Sequence, residues 1–185
     1  MTCNDNGHSS SNCVCEVVRF INELQDSITD NCLTGCDTPF LGGNCNTPFA
    51  NTRPFVVFDK SGDLFVPASC YSVPGLSVPL PSPLLRVESA DDCCAVLRSL
   101  IPDVSCLTPE DIELLAASVN PVLGTANVID VVSRLLVCQY SNGITRADGA
   151  SVLQIPLKAS QFCITVDLSY YSSIQCLRDA HVRGV

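Results

Sequence analysis

The sequence predicts an α+β fold. It reads as a single β-rich domain, a small sandwich or barrel at its centre, with an N-terminal amphipathic helix and a partly helical insertion before the last strands. Three observations carry this. One stretch near the N-terminus has a strong helical apolar period; several short runs alternate with a period of two and are separated by Pro, Gly and Asn. The 185 residues are 46% apolar, and a chain of that length buries about 70% of its unfolded surface on folding.

Residues 1–12 are rich in Asn, Ser and Gly and read as a flexible, cysteine-containing arm, with 13–185 as one domain. From Cys13 to Ile28, Val14, Val17, Val18, Ile21, Leu24 and Ile28 share one helical face. Glu16, Arg19, Asn22, Glu23 and Asp26 lie opposite; Cys13 falls beside the apolar stripe and Cys15 with the polar face. Residues 29–52 carry turn signals around Cys32, Cys36 and Cys45. Phe55–Phe58 and Leu64–Val66 read as a hairpin joined by Asp59–Asp63, and Pro74, Pro79, Pro81 and Pro83 mark an irregular path. Leu84–Glu88 reads as a strand. Residues 90–101 fit either a helix capped by Ser89 or a buried strand, and Ala95-Val96-Leu97 tips them toward strand.

Residues 102–150 are expected to be partly helical. Thr108-Pro109-Glu110-Asp111 is a helix start, with an N-cap, proline at the first helical position and acid in the first turn. A second helix is expected over 127–137 through Val128, Val131, Val132 and Leu135. Leu153, Ile155 and Leu157 then alternate, as do Ile164, Val166, Leu168 and Tyr170 against Cys163, Thr165, Asp167 and Ser169. An unbroken strand there puts Cys163 on the less apolar face and Cys176 on the apolar one.

Ten Lys and Arg against 19 Asp and Glu give a net charge of −9. Nucleic-acid binding, which needs clustered cations, is therefore disfavoured. The polar start MTCNDNGHSSSNCVC lacks the apolar core of a secretory signal, and no run of 18 apolar residues predicts a membrane span. The chain is thus expected to stay in the cytosol when made. Yet it holds 13 cysteines, about 7% of residues and close to the level of secreted disulfide scaffolds, whereas cytosolic thiols are kept reduced. Metal binding, redox activity, or oxidation after the cytosol is lost would each resolve the conflict.

The only histidines, His8 and His181, lie near the two ends, and no GxSxG, Walker A, GxGxxG or HExxH motif occurs. No enzymatic activity and no cofactor are expected. Cys32-x3-Cys36 has the first half of a zinc-site spacing, but Cys45 stands alone where a second pair is needed. A zinc site on Cys32, Cys36 and Cys45 is the weaker alternative. Cys93-Cys94 on an extended strand would face opposite sides, each toward its own partner. With 13 thiols and only two lysines, Lys60 and Lys158, the chain suits subunits that assemble reduced and are sealed by disulfides later.

The blocks FINELQD (Phe20–Asp26), PFLG (Pro39–Gly42), NTRPF (Asn51–Phe55), RVES (Arg86–Ser89), CAVLR (Cys94–Arg98), CITVDLS (Cys163–Ser169) and IQCLRD (Ile174–Asp179) occur in that order. Together they resemble the CotY/CotZ/ExsY family of spore-coat and exosporium proteins of endospore-forming bacteria. The resemblance implies a non-enzymatic structural protein made in the mother-cell cytoplasm. It implies self-assembly into hexagonally ordered two-dimensional sheets, alongside other coat or exosporium proteins, in the crust or the exosporium basal layer. Where the family carries a Cys-Phe-Cys element, this chain reads Tyr170-Tyr171-Ser172, and its residues 102–150 are longer than in the family, which implies an insertion there. Position in the arm, the helix and the turns makes Cys3, Cys13, Cys15, Cys32, Cys36 and Cys45 the candidates for inter-subunit disulfides. Strand context makes Cys94, Cys163 and Cys176 candidates for intrachain or buried positions.

Overall fold

The computed structural model of the chain describes residues 12–29, 50–123, 127–142, 144–145, 152–153 and 155–185. Its centre is one six-stranded sheet, so the α+β expectation holds while the sandwich or barrel gives way to a single open sheet. The strands are β1 (Phe55–Asp59), β4 (Leu85–Asp91), β5 (Cys94–Pro102), β8 (Leu157–Asp167), β9 (Tyr171–Cys176) and β10 (Val182–Arg183). They lie in the order β10-β8-β5-β4-β1-β9, antiparallel except for the β10–β8 pair. Two small antiparallel pairs stand outside it: β2 (Cys70–Tyr71) with β3 (Leu80–Pro81), and β6 (Ile144–Thr145) with β7 (Val152–Leu153).

Helices rather than a second sheet cover the two faces. The first helix, α1 (Cys13–Thr29), lays Val14, Val18 and Ile21 on Phe55, Val57, Leu85, Val87, Ala95 and Leu97. On the other face, α2 (Pro109–Val119) and α3 (Val128–Asn142) bring Leu115, Val119, Val132 and Leu136 to Val56, Leu84, Leu100 and Leu157. Strand alternation explains the division: Phe55 and Val57 point one way and Val56 the other. Helices α2 and α3 are thus a second covering layer.

Local chemistry sets the helix ends. Asn12 accepts from the Val14 amide at 2.9 Å, and its own amide group donates to the carbonyls of Leu168 and Tyr171. Thr108 accepts from the Asp111 amide at 3.2 Å at the start of α2, as its sequence predicts. Gln25 is 3% exposed; its amide donates to the Val87 carbonyl at 2.9 Å and accepts from the Arg53 amide at 3.3 Å. Gln25→Ala leaves both backbone groups unmatched, and urea unfolding is expected to show a loss of about 2 kcal/mol.

The expected hairpin after β1 is present but short: the Asp59 amide donates to the Asp63 carbonyl at 2.9 Å, the Phe65 amide to the Val57 carbonyl at 3.0 Å, and Leu64 bridges Phe58 antiparallel. One segment departs from the sequence expectation. The strand expected to run through Tyr170 stops at Asp167, whose carboxylate accepts from the Ser169 amide at 2.9 Å and opens a 3-10 turn, Leu168–Tyr170. This break resets the side-chain alternation ahead of Cys176. Residues 90–101 resolve as strand, the hairpin turn falling at Asp92-Cys93 with Asp92 at φ 52°. No helix among the described residues is long and apolar enough to cross a membrane.

Candidate cross-linking cysteines

Cys15 and Cys93 form a disulfide across 78 residues, with a Cα–Cα separation of 5.0 Å. It ties α1 to the β4–β5 hairpin turn. This corrects the assignment of Cys15 to the polar face and to inter-subunit bonding: the residue is 5% exposed, inside the apolar cluster under α1. Cys15 lies about 60° round the helix from Val18. The buried stripe is rotated toward it by its bond to Cys93 and by the anchoring of Gln25 on Val87. Cys13, one turn edge away, is exposed and also disulfide-bonded, so the single chain already engages it. Cys3, Cys32, Cys36 and Cys45 lie outside the described residues, and with them the alternative zinc site. Among the described residues, no group of three or more His, Cys, Asp and Glu could hold a metal ion.

Cys94, Cys163 and Cys176, expected to be intrachain or buried, are instead exposed thiols. The vicinal pair does split as an extended strand requires: Cys93 turns to α1 and Cys94 to the opposite face. That face also carries Cys163, because Arg98 is two residues on from Val96 and is registered against Cys163. Here the sheet surface is polar rather than helix-covered. Glu88 accepts from Arg98 Nε at 2.7 Å and pairs with Arg86 Nε at 3.1 Å, while Arg98 Nη1 donates to the Ser160 carbonyl at 3.1 Å. Periodicity separated the two faces correctly without revealing which one a helix covers.

Cys176 ends β9 at the margin of the sheet, beside the bidentate Arg53–Asp179 pair at 2.7 and 2.9 Å. Packing around it pushes the thiol above its ordinary pKa; Arg53 opposes this and Asp179 adds to it. Cys176 is therefore the slower nucleophile at neutral pH.

Three further exposed cysteines were not singled out by sequence. Cys70 alternates with buried Tyr71 in β2, and Cys138 projects from α3 at an open cleft of about 360 Å³ lined by Phe58, Leu64 and Gln175. Cys106 sits in the 3-10 turn Val104–Cys106 after β5. Its thiol donates to Asp103 Oδ2 at 3.3 Å, and Arg183 Nη1 lies 3.0 Å from the sulfur. Asp103 itself is buried and accepts from the Ser105 hydroxyl at 2.5 Å. That bond holds its carboxyl below the usual carboxylate range against the opposing effect of burial, with help from Cys106 and Lys158. Only the Asp-x-Ser-Cys spacing hinted at this arrangement.

The exposed thiols cannot close on one another in the best-defined case. Cys94 and Cys163 are registered four residues apart along β5, about 13 Å, beyond the roughly 7 Å Cα limit for a disulfide. Each is left facing outward.

The family described as "Spore coat protein Z" matches residues 1–115, a span that ends inside α2 and contains ten of the thirteen cysteines. No curated protein and no solved structure matches the chain. With more than half of its residues in that match, the chain belongs to the spore coat protein Z family.

Proposed function

We propose that this spore coat protein assembles with copies of itself into a two-dimensional, hexagonally ordered layer that disulfides then reinforce, in the crust or the exosporium basal layer. The structural role in the spore coat comes with the family. The lattice, its bonding and its exact layer are the further step. One observation carries it: Cys70, Cys94, Cys106, Cys163 and Cys176 are exposed free thiols on different elements. A chain that needed sulfur only for its own stability has no use for thiols so placed. In the mother-cell cytoplasm such groups stay reduced, and lysis of that cell exposes them to oxidant. Other coat or exosporium proteins are equally accessible partners for the same thiols.

Protein expressed alone is expected to form ordered sheets in the electron microscope, with a ladder on non-reducing gels. Reductant should collapse the ladder and leave the sheets, since noncovalent contacts place the subunits and sulfur locks them afterwards. Serine at the five positions should give sheets with a strongly reduced ladder. Recovery of monomers alone, or a peptide map of oxidised sheets containing only intrachain bonds, would refute the proposal.

A further inference from the structure

We infer that the outer edge of β8 is a self-pairing surface, on which a second copy of this chain adds its own β8 antiparallel across a two-fold axis through Thr165. The inference rests on the self-assembly reading and names one of its contacts.

Strand β8 has eleven residues, but among the described residues only Val182 and Arg183 pair with its outer side, at Leu157 and Lys158. Among the described residues the rest is open edge. Its first part is irregular. Arg98 is registered with Cys163 but Leu100 with Ala159, so β8 spends two extra residues around Ser160–Phe162. Such a bulge interrupts edge pairing. At the far end the 3-10 turn begins at Leu168. A regular segment of five residues remains, Cys163–Asp167, in unbroken register with Arg98–Cys94.

The direction of its backbone groups follows from one hydrogen bond. The Leu168 amide donates to the Cys93 carbonyl at 2.8 Å, so by alternation Val166 and Ile164 exchange hydrogen bonds with β5. Cys163, Thr165 and Asp167 therefore direct their N–H and C=O groups outward. The segment, Cys-Ile-Thr-Val-Asp, has no Lys, Pro or Gly of the kind that blunts an edge, and three of its residues are β-branched.

Antiparallel self-pairing suits this segment better than a foreign strand would. Centred on Thr165, it sets Ile164 against Val166 of the second copy on the α1 face. On the other face, threonine meets threonine and Cys163 meets Asp167. Each strand carries one carboxylate, and the two fall at opposite ends, so like charges do not oppose. The bulge and the turn stop the segment at both ends and so fix the register. Up to about six backbone hydrogen bonds can form, and an isologous contact of this kind closes as a dimer instead of running on as a fibre.

Two variants test this, both in the chain with serine at Cys70, Cys94, Cys106, Cys163 and Cys176. Because the Thr165 amide points away from β5, T165P leaves the sheet intact, which circular dichroism checks, and removes the central donor from both strands. Sedimentation is expected to show self-association weakened roughly tenfold or more. T165C places a thiol opposite its own copy at about 5.5 Å between Cα atoms, within disulfide range. Mild oxidation should give a dimer whose peptide map links position 165 to itself. Self-association unchanged by T165P, or a T165C peptide map that links position 165 to other cysteines and not to itself, overturns the inference. Both readouts concern pairs of chains in solution, so failure to see sheets by microscopy would fell the lattice proposal alone.

Discussion

Cys93→Ala is expected to lower the unfolding free energy of the oxidised protein by about 4 kcal/mol. The Cys15–Cys93 bond closes a loop across 78 residues, and a long loop loses more conformational freedom in the unfolded chain than a short one. For a chain of this size that corresponds to a fall in melting temperature of roughly 10 °C. Cys93 is the cleaner position to change. It lies partly exposed in the hairpin turn, whereas a serine at Cys15 would also bury a hydroxyl among Val14, Val18 and Leu97. Urea unfolding with and without dithiothreitol separates the bond from the side chain: the difference between variant and parent should disappear once both are reduced. An oxidised variant as stable as its parent would mean that the bond does not form.

Asp103→Asn is expected to cost about 2 kcal/mol at pH 7 and to change the shape of the acid-unfolding curve. The carboxylate collects the Ser105 hydroxyl, the Cys106 thiol and Arg183, with Lys158 at 3.6 Å. The Asp103 backbone amide also donates to the Pro156 carbonyl at 2.7 Å. These contacts join the end of β5 to β8 and β10. Its folded pKa lies below the usual carboxylate range, chiefly through the Ser105 hydrogen bond. The stability it contributes is therefore fully present above its unfolded pKa of about 3.9. It is lost as the pH falls from there through the lower folded value. Urea midpoints between pH 7 and pH 2 should fall less steeply for the variant below pH 4 than for the parent. Parallel curves would show that Asp103 is not held low.

What could be read from the residues followed the range of the forces involved. The ends and face of α1 were legible because apolar spacing and a cap are local, and Thr108-Pro109 marked the start of α2 for the same reason. The strand over Cys163–Asp167 was plain from its alternation. The rotation of α1 by a fraction of a turn was not, since it depends on Cys93 and Val87, more than sixty residues away. Nor was a single sheet separable from a sandwich, because alternation reports that a strand has two faces and leaves open what covers each. Cys94 and Cys163 were misjudged on that account. Cysteine pairing lies still further from sequence: thirteen thiols allow many connectivities, and only the fold brings a hairpin turn to the first turn of a helix.

The sulfur bridge at the start of α1 has a mechanical consequence. Tension that reaches Cys15, beyond the bond at Cys13, passes into Cys93, so the sequence between these two cysteines, 78 positions apart, is shielded from the pull. Extended, that stretch would pay out about 260 Å of chain. With the bridge in place, the subunit yields little slack before its central sheet bears the strain.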